Sequence, residues 1–271
     1  MTLFVTGGGS GIGLELCRLG ARRGNRVAVF DLHLSEETRS ELGDLIGDDE
    51  RLSLHDDVDV RDAGSVAAAF ADAVEHVGPP SLVINSAGIS TNALFSESTL
   101  DDFDRTIAVN LVGSRNVAAA ALPHLRRGSR LALIASLAGI TGGYAYAAYA
   151  SSKAGVIGLA RVLRLEWAPE GIGVSVICPP EIMTPMVEQY AQTMHPATRA
   201  LKDVAGTLPI DEACREMLVQ LERGRFLVIP GRRARRAALM TRVLPEAVTT
   251  RMADRIVRRA ITSAEAAGLD G

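Results

Sequence analysis

The sequence predicts an α/β fold, a doubly wound parallel seven-stranded sheet with helices on both faces. Two observations predict it. Short, wholly apolar runs alternate with helical segments along most of the 271 residues, which is the pattern of strands buried on both faces by crossover helices. The first of these runs also leads directly into a glycine-rich turn that opens a helix, Thr6-Gly7-Gly8-Gly9-Ser10-Gly11-Ile12-Gly13.

The elements follow in order. Leu3-Phe4-Val5 is the first strand, and a helix runs from about Gly11 to Arg23. Gly24-Asn25 ends that helix, since both residues tolerate positive φ. Arg26 to Asp31 is the second strand. Ser35 caps the next helix, with Glu36 and Glu37 in its first turn. Leu52 to Leu54 is a short third strand, Asp62 opens a helix, and Leu82 to Ile84 is the fourth strand. Thr99 caps a long helix towards Leu125. Leu131 to Ala135 is the fifth strand, a helix spans about Tyr149 to Ala168, and Val174 to Ile177 is the sixth strand. Arg225 to Ile229 is the seventh. Without a linker or repeat, the chain reads as a single domain, residues 1–271. It carries two additions, a substrate lid at about 183–208 and a C-terminal helical extension at about 231–271.

Hydrophobic residues at 47% and charged residues at 23% exclude a disordered chain. A net charge of −3 provides no basic field for nucleic acid. Cys17, Cys178 and Cys214 stand far apart, as suits reduced thiols and a cytoplasmic location. The five histidines lack metal-ligand spacing, so no metal is expected. Met1 to Gly7 does not read as a secretory signal. The uncharged stretch from Leu131 to Ser152 is broken by Gly139, Gly142 and Gly143 and is read as strand, loop and helix start, not a span.

In the turn, small residues let the backbone approach a pyrophosphate, and the helix N-terminus offers free N–H groups and partial positive charge. Asp31, at the end of the second strand, is placed to accept both hydroxyls of an adenine ribose, and it would repel a 2′-phosphate. No basic residue follows at positions 32 to 34. The expected cofactor is therefore NAD(H), with NADP(H) the less favoured choice.

Tyr149 and Lys153 lie four residues apart, on one helix face. A phenol is a poor base at neutral pH, and a neighbouring ammonium is expected to lower its pKa. Only Lys153 and Lys202 of the 29 basic residues are lysines, so a lysine at this spacing is selective.

With these residues the chain resembles the short-chain dehydrogenase/reductase family over about residues 2 to 230. The turn resembles its cofactor motif, with Thr6, Gly7, Gly9, Ser10, Gly11, Ile12 and Gly13. Asp59-Val60 resembles the pair that holds adenine. Asn85-Ser86-Ala87-Gly88 resembles a further cofactor motif, with serine at its second place. Asn110, Ser136, Tyr149 and Lys153 match its catalytic residues. The resemblance implies a Rossmann-type fold and hydride transfer between NAD(H) and a secondary alcohol or ketone. Tyr149 would exchange the proton, Ser136 would hydrogen-bond the substrate oxygen, and Asn110 would hold a relay water. Lys153 would bind the nicotinamide ribose and depress the tyrosine pKa. Pro179 and Thr184 would meet the carboxamide end of the cofactor. Tyr144 and Tyr146 are read as loop residues beside the substrate or as packing.

Pro179-Pro180-Glu181-Ile182-Met183-Thr184-Pro185 also resembles the 3-ketosphinganine reductase branch, which is associated with NADPH and so runs against Asp31. Met186, Val187, Tyr190 and Met194 suggest an apolar lid face and a hydrophobic substrate, with core packing the equal alternative. A non-catalytic dinucleotide sensor is the reading from another class; it would need the turn and Asp31 but not the four catalytic positions. The arginine-rich tail from Arg223 to Arg259 is read as a solvated helix packed on the core, in preference to a helix lying on an anionic membrane. By resemblance, the helices of Asn110 and Tyr149 form the surface of a homodimer or homotetramer.

Overall fold

The structure, a computed structural model, describes residues 1–184, 187 and 194–266. The sheet contains β1 (Thr2–Thr6), β2 (Arg26–Phe30), β3 (Leu52–His55), β4 (Leu82–Asn85), β5 (Arg130–Ile134), β6 (Gly173–Ile177) and β9 (Leu227–Val228). All pairs are parallel, in the order β3-β2-β1-β4-β5-β6-β9. The two directions of winding part at β1, between β2 and β4, so the strand C-termini there frame a crevice. The last strand is shorter than expected, with only Leu227 and Val228 paired to β6 before Pro230-Gly231 turns the chain. β7 (Glu181–Ile182) and β8 (Thr207–Leu208) form a separate parallel pair, which the sequence reading lacks.

Alternate strand residues enter two separate cores. Phe4, Phe30, Val83, Leu131, Leu133, Val174 and Val176 face one side, and Leu3, Val5, Val27, Val29, Ile84, Ala132 and Ile177 the other. This is why the strands read as continuous apolar runs. On the first side Phe70, from α3, stacks on Phe30 at 4.6 Å between ring centroids.

Local chemistry sets the helix starts. α1 (Gly11–Arg22) is followed by Gly24 at φ +75°. Ser35 caps α2 (Glu36–Ile46) by accepting the Thr38 N–H. Asp62 caps α3 (Ala63–Val77) through the Gly64 and Ser65 N–H groups. Thr99 caps α4 (Leu100–Ile107) through the Asp102 N–H. The long helix expected from Thr99 is not uniform. A π turn over Ala108–Val112 separates α4 from α5 (Gly113–Ala121), and a 3-10 turn containing Pro123 ends it. The wide turn is centred on Asn110, whose side chain is tied to two other segments; π turns of this kind collect at functional positions.

After β5 come α6 (Ala138–Thr141) and α7 (Ala147–Trp167). α8 (Pro196–Ala205) and α9 (Ile210–Glu222) follow β6. The C-terminal extension is a pair of helices, α10 (Arg232–Val243) and α11 (Glu246–Ala266). Ala234 and Ala238 bury one face of α10 in the first core. α11 packs along α8, and α10 packs on both. Met186 and Tyr190 of the expected lid face lie outside the described residues, and Val187 and Met194 are half-buried. Among the described residues no helix is long and apolar enough to cross a membrane, and no group of side chains has the make-up to hold a metal ion.

Candidate active site

The glycine turn is compact because its glycines meet backbone. Gly7 has φ +67°, and a Cβ there would lie 2.5 Å from Ala87 N. A Cβ on Gly13 would lie 2.0 Å from Gly7 O, and one on Gly9 would lie 2.8 Å from His33 O. Asp31 pins the turn by accepting the Gly9 N–H at 2.7 Å, and it also receives the His33 N–H at 3.4 Å. A carboxylate has further acceptor sites beyond these two.

The start of α1 differs from those of α2, α3 and α4, which are capped by side chains. Ser10 makes no side-chain cap and the first turn holds no acidic residue, as at the starts of α7 and α10. The orphan N–H groups and dipole of α1 thus remain available to an anion. Gly11, at φ +51°, lies within 3.8 Å of Thr184 Cγ2 measured from the place of a Cβ. These observations fit a dinucleotide phosphate at the turn.

A hydrogen-bonded chain runs from the turn to the π helix. Thr6 Oγ1 donates to Asn85 Oδ1 (2.6 Å), Asn85 Nδ2 to Ser114 Oγ (2.8 Å), and Ser114 Oγ to the Asn110 carbonyl (2.6 Å). Asn110 Nδ2 donates to Ile89 O and Ser152 Oγ, both at 2.9 Å, and its Oδ1 accepts the Ile89 N–H at 2.8 Å. The Asn110 carboxamide is therefore committed to the chain. It clamps the segment after Gly88 to α7, and any water at this residue would have to be held by its carbonyl. A Cβ on Gly88 would come within 3.0 Å of Asn110 Oδ1 and 3.2 Å of Lys153 Nζ. Gly88 thus lets the two approach.

Ser136, Tyr149, Lys153, Gly88, Pro179 and Thr184 come together on the wall of one cavity of about 980 Å³. Of the turn, Ile12 reaches it. Asp59 and Val60 do not. The Asp59 carboxylate is forked on Arg61 (2.5 Å to Nη2), and Val60 packs against Gly113.

The Tyr149 hydroxyl is hydrogen-bonded with Ser136. Burial pushes its pKa up to about 12 despite this bond, which corrects the expectation that Lys153 lowers it. Lys153 Nζ donates to Ile134 O at 3.0 Å and lies 5.7 Å from the Tyr149 ring centroid. Its own pKa is pulled down to about 8 by burial. Burial dominates both shifts, since it penalises the charged form of each group. Over the neutral range Tyr149 is thus a protonated phenol, set to donate a proton in the reducing direction.

Sequence reasoning missed Glu181. Its side chain is 1% exposed and receives Arg199 Nη2 (2.7 Å), Lys202 Nζ (2.6 Å) and Thr207 Oγ1 (2.8 Å). Burial opposes its charge, but the bonds from Lys202, Arg199 and Thr207 prevail and hold the carboxyl below its ordinary range. The cluster fastens α8 to the segment after β6. Lys202 also lies 5.4 Å from the ring centroid of Tyr146, which is 7% exposed and whose ring is 5.4 Å from that of Tyr149. The second of the chain's two lysines was the available signal. Glu181→Ala is expected to cost about 2–3 kcal/mol, or roughly 5–10 °C in Tm, because it leaves Lys202 unpaired and Arg199 with Asp203 alone. The increment is present in the wild type above pH 4.5, the carboxyl's ordinary value. It is lost as pH falls through the lowered folded value, so thermal melts of the two proteins should converge in acid.

The family profile described as short chain dehydrogenase matches residues 1–195. The chain is 34% identical over 214 residues to the oxidoreductase UcpA of Salmonella typhimurium, covering 77% of this chain and 80% of that one. It is 29% identical over 229 residues to the 3-dehydrosphinganine reductase of Danio rerio, covering 83% and 69%. The crystal structure of a short-chain dehydrogenase/reductase from Brucella melitensis superposes with a TM-score of 0.74 at 26% identity, over 84% of this chain and 93% of that one.

Proposed function

The chain belongs to the short-chain dehydrogenase family, and on that premise we propose that it transfers hydride between NAD(H) and a hydrophobic secondary alcohol or ketone. The observation that carries this reading is the convergence of Ser136, Tyr149 and Lys153 on one cavity that also reaches Ile12 and Thr184 beside the glycine turn.

The turn and the uncapped start of α1 would hold the pyrophosphate, and Asp31 the adenine ribose. Asn85, Ala87 and Gly88 would flank the nicotinamide half, with Pro179 and Thr184 at its carboxamide. Asp59 and Val60 keep a place beside the adenine only through their backbone, since their side chains are engaged elsewhere. When bound, the nicotinamide supplies the hydride or accepts it. In reduction, Tyr149 gives its hydroxyl proton to the substrate oxygen, which Ser136 orients. The charged form of Lys153 stabilises the phenolate that remains. Exposed Val162 and Leu165 on α7 (51% and 64%) support pairing of two copies across this helix.

Fluorescence titration tests the cofactor. NADH is expected to bind at least about tenfold tighter than NADPH, and Asp31→Ala to weaken NADH by about tenfold or more through loss of charged hydrogen bonds. Tighter NADPH binding by the wild type would overturn the role given to Asp31.

A further inference from the structure

The cavity does not end at Ser136, Tyr149 and Lys153. It continues beneath the C-terminal extension, where Ala237, Met240 and Leu244 of the α10 region and Met252, Ala253 and Ile256 of α11 line it. Both sets recur at the three- and four-residue spacing of one helix face. The lining of α11 runs from Glu246 to Val257, a length of about 16 Å along the helix. Arg251, Arg255, Arg258 and Arg259 are exposed, so the arginine-rich appearance of the tail belongs to its outer surface.

Most of the polar groups along this wall are already engaged, and Glu246 and Thr250 lie at the start of α11, towards one end of the lining. Thr241 Oγ1 donates to Ala238 O at 2.9 Å and Thr249 Oγ1 to Glu246 O at 3.0 Å, each within its own helix. Thr198 Oγ1 donates to Tyr144 O at 3.0 Å. Glu181 and Lys202 are paired with each other. A polyhydroxylated substrate would find few free partners here, and a hydrocarbon would leave none of these groups unsatisfied. Met240 and Met252 line the cavity while remaining 40% and 43% exposed, which places flexible apolar side chains at a solvent edge of the space.

We infer that α10 and α11 form a channel for an unbranched aliphatic chain, so that the substrate is a carbonyl or carbinol borne on a long hydrocarbon. The inference rests on the redox reading only for the reacting group. The channel itself is a binding site that can be measured without turnover.

The test uses the full-length protein and 11-(dansylamino)undecanoate as fluorescent ligand, displaced by butanone, 2-octanone and 2-dodecanone. The same ketones are assayed with NADH. Apparent affinity is expected to rise about three- to fourfold per added methylene until the channel is filled. Ala253→Trp should lower the ratio of kcat/KM for 2-dodecanone to that for butanone by at least about thirtyfold, and should weaken the dansyl ligand to a similar degree. The chain-length series on the wild type stands even if that variant fails to fold. Equal displacement by all three ketones would overturn the channel, as would an unchanged Ala253→Trp preference in a folded protein. Length-dependent displacement without reduction of any ketone would uphold the channel and remove the redox reading. Reduction without length dependence would do the reverse.

Discussion

Tyr149→Phe is expected to lower turnover about a thousandfold while leaving the dissociation constant for NADH within about twofold. The phenol is the one group on the cavity wall that combines a dissociable proton with a hydrogen bond to Ser136. Phenylalanine fills the same volume and keeps the ring contact with Tyr146, so the change removes the proton and little else. The turn and Asp31 do not touch Tyr149, and cofactor affinity should survive. A dinucleotide sensor would show no such split, because its output would not depend on the hydroxyl. The pH profile gives a second reading. With the phenol at about 12, it stays protonated through the neutral range and is set to act as an acid. Reduction should hold level from pH 6 to about 8, then decline as Lys153, at about 8, loses the charge that steadies the phenolate. A variant with unchanged turnover would remove Tyr149 from the chemistry.

The parts of the molecule that were legible in the sequence are those decided locally. Ser35, Asp62 and Thr99 stand where helices start because each bonds an N–H two or three residues on. Strands were legible because both faces of a parallel sheet are apolar. The Tyr149–Lys153 pairing followed from helical spacing, but the direction of the tyrosine shift did not. That direction depends on how much solvent the surrounding fold removes, which spacing does not carry. The π turn was hidden because it answers to Ile89 and Ser152, far from Asn110 in sequence. The Glu181 cluster was hidden for the same reason, with partners at positions 199, 202 and 207 brought back by β7 and β8. The tail was read by its arginines, which are the exposed side. Its sparser apolar stripe, the side that closes the cavity, was outweighed in composition.

Lys153→Met should make the protein more stable and nearly inactive. Burial pulls the lysine from its ordinary value of 10.5 to about 8, which corresponds to about 3 kcal/mol of unfavourable charge burial at neutral pH. Methionine fills the space without that charge. It forfeits the bond to Ile134 O, worth about 1–2 kcal/mol, leaving a net gain of about 1–2 kcal/mol and a Tm higher by roughly 3–6 °C. The dependence on pH has a definite sign. Below about 8 both the folded and unfolded wild type hold the proton, and the penalty is complete. Between 8 and 10.5 the unfolded chain holds the proton while the folded one does not, so wild-type stability climbs with pH. The advantage of the variant is therefore greatest at neutral pH and shrinks as pH rises towards 10. Turnover at neutral pH should fall by about a hundredfold or more, since the phenolate loses its ammonium on α7, and the deficit should narrow above pH 8, where the wild type loses that charge too. Differential scanning fluorimetry from pH 7 to 9.5, with ketone reduction measured on the same samples, reads both effects. A variant less stable than the wild type at pH 7 would mean that the ammonium is welcome in the fold. The site would then have to be held together by that charge and not merely tolerate it for the sake of the reaction.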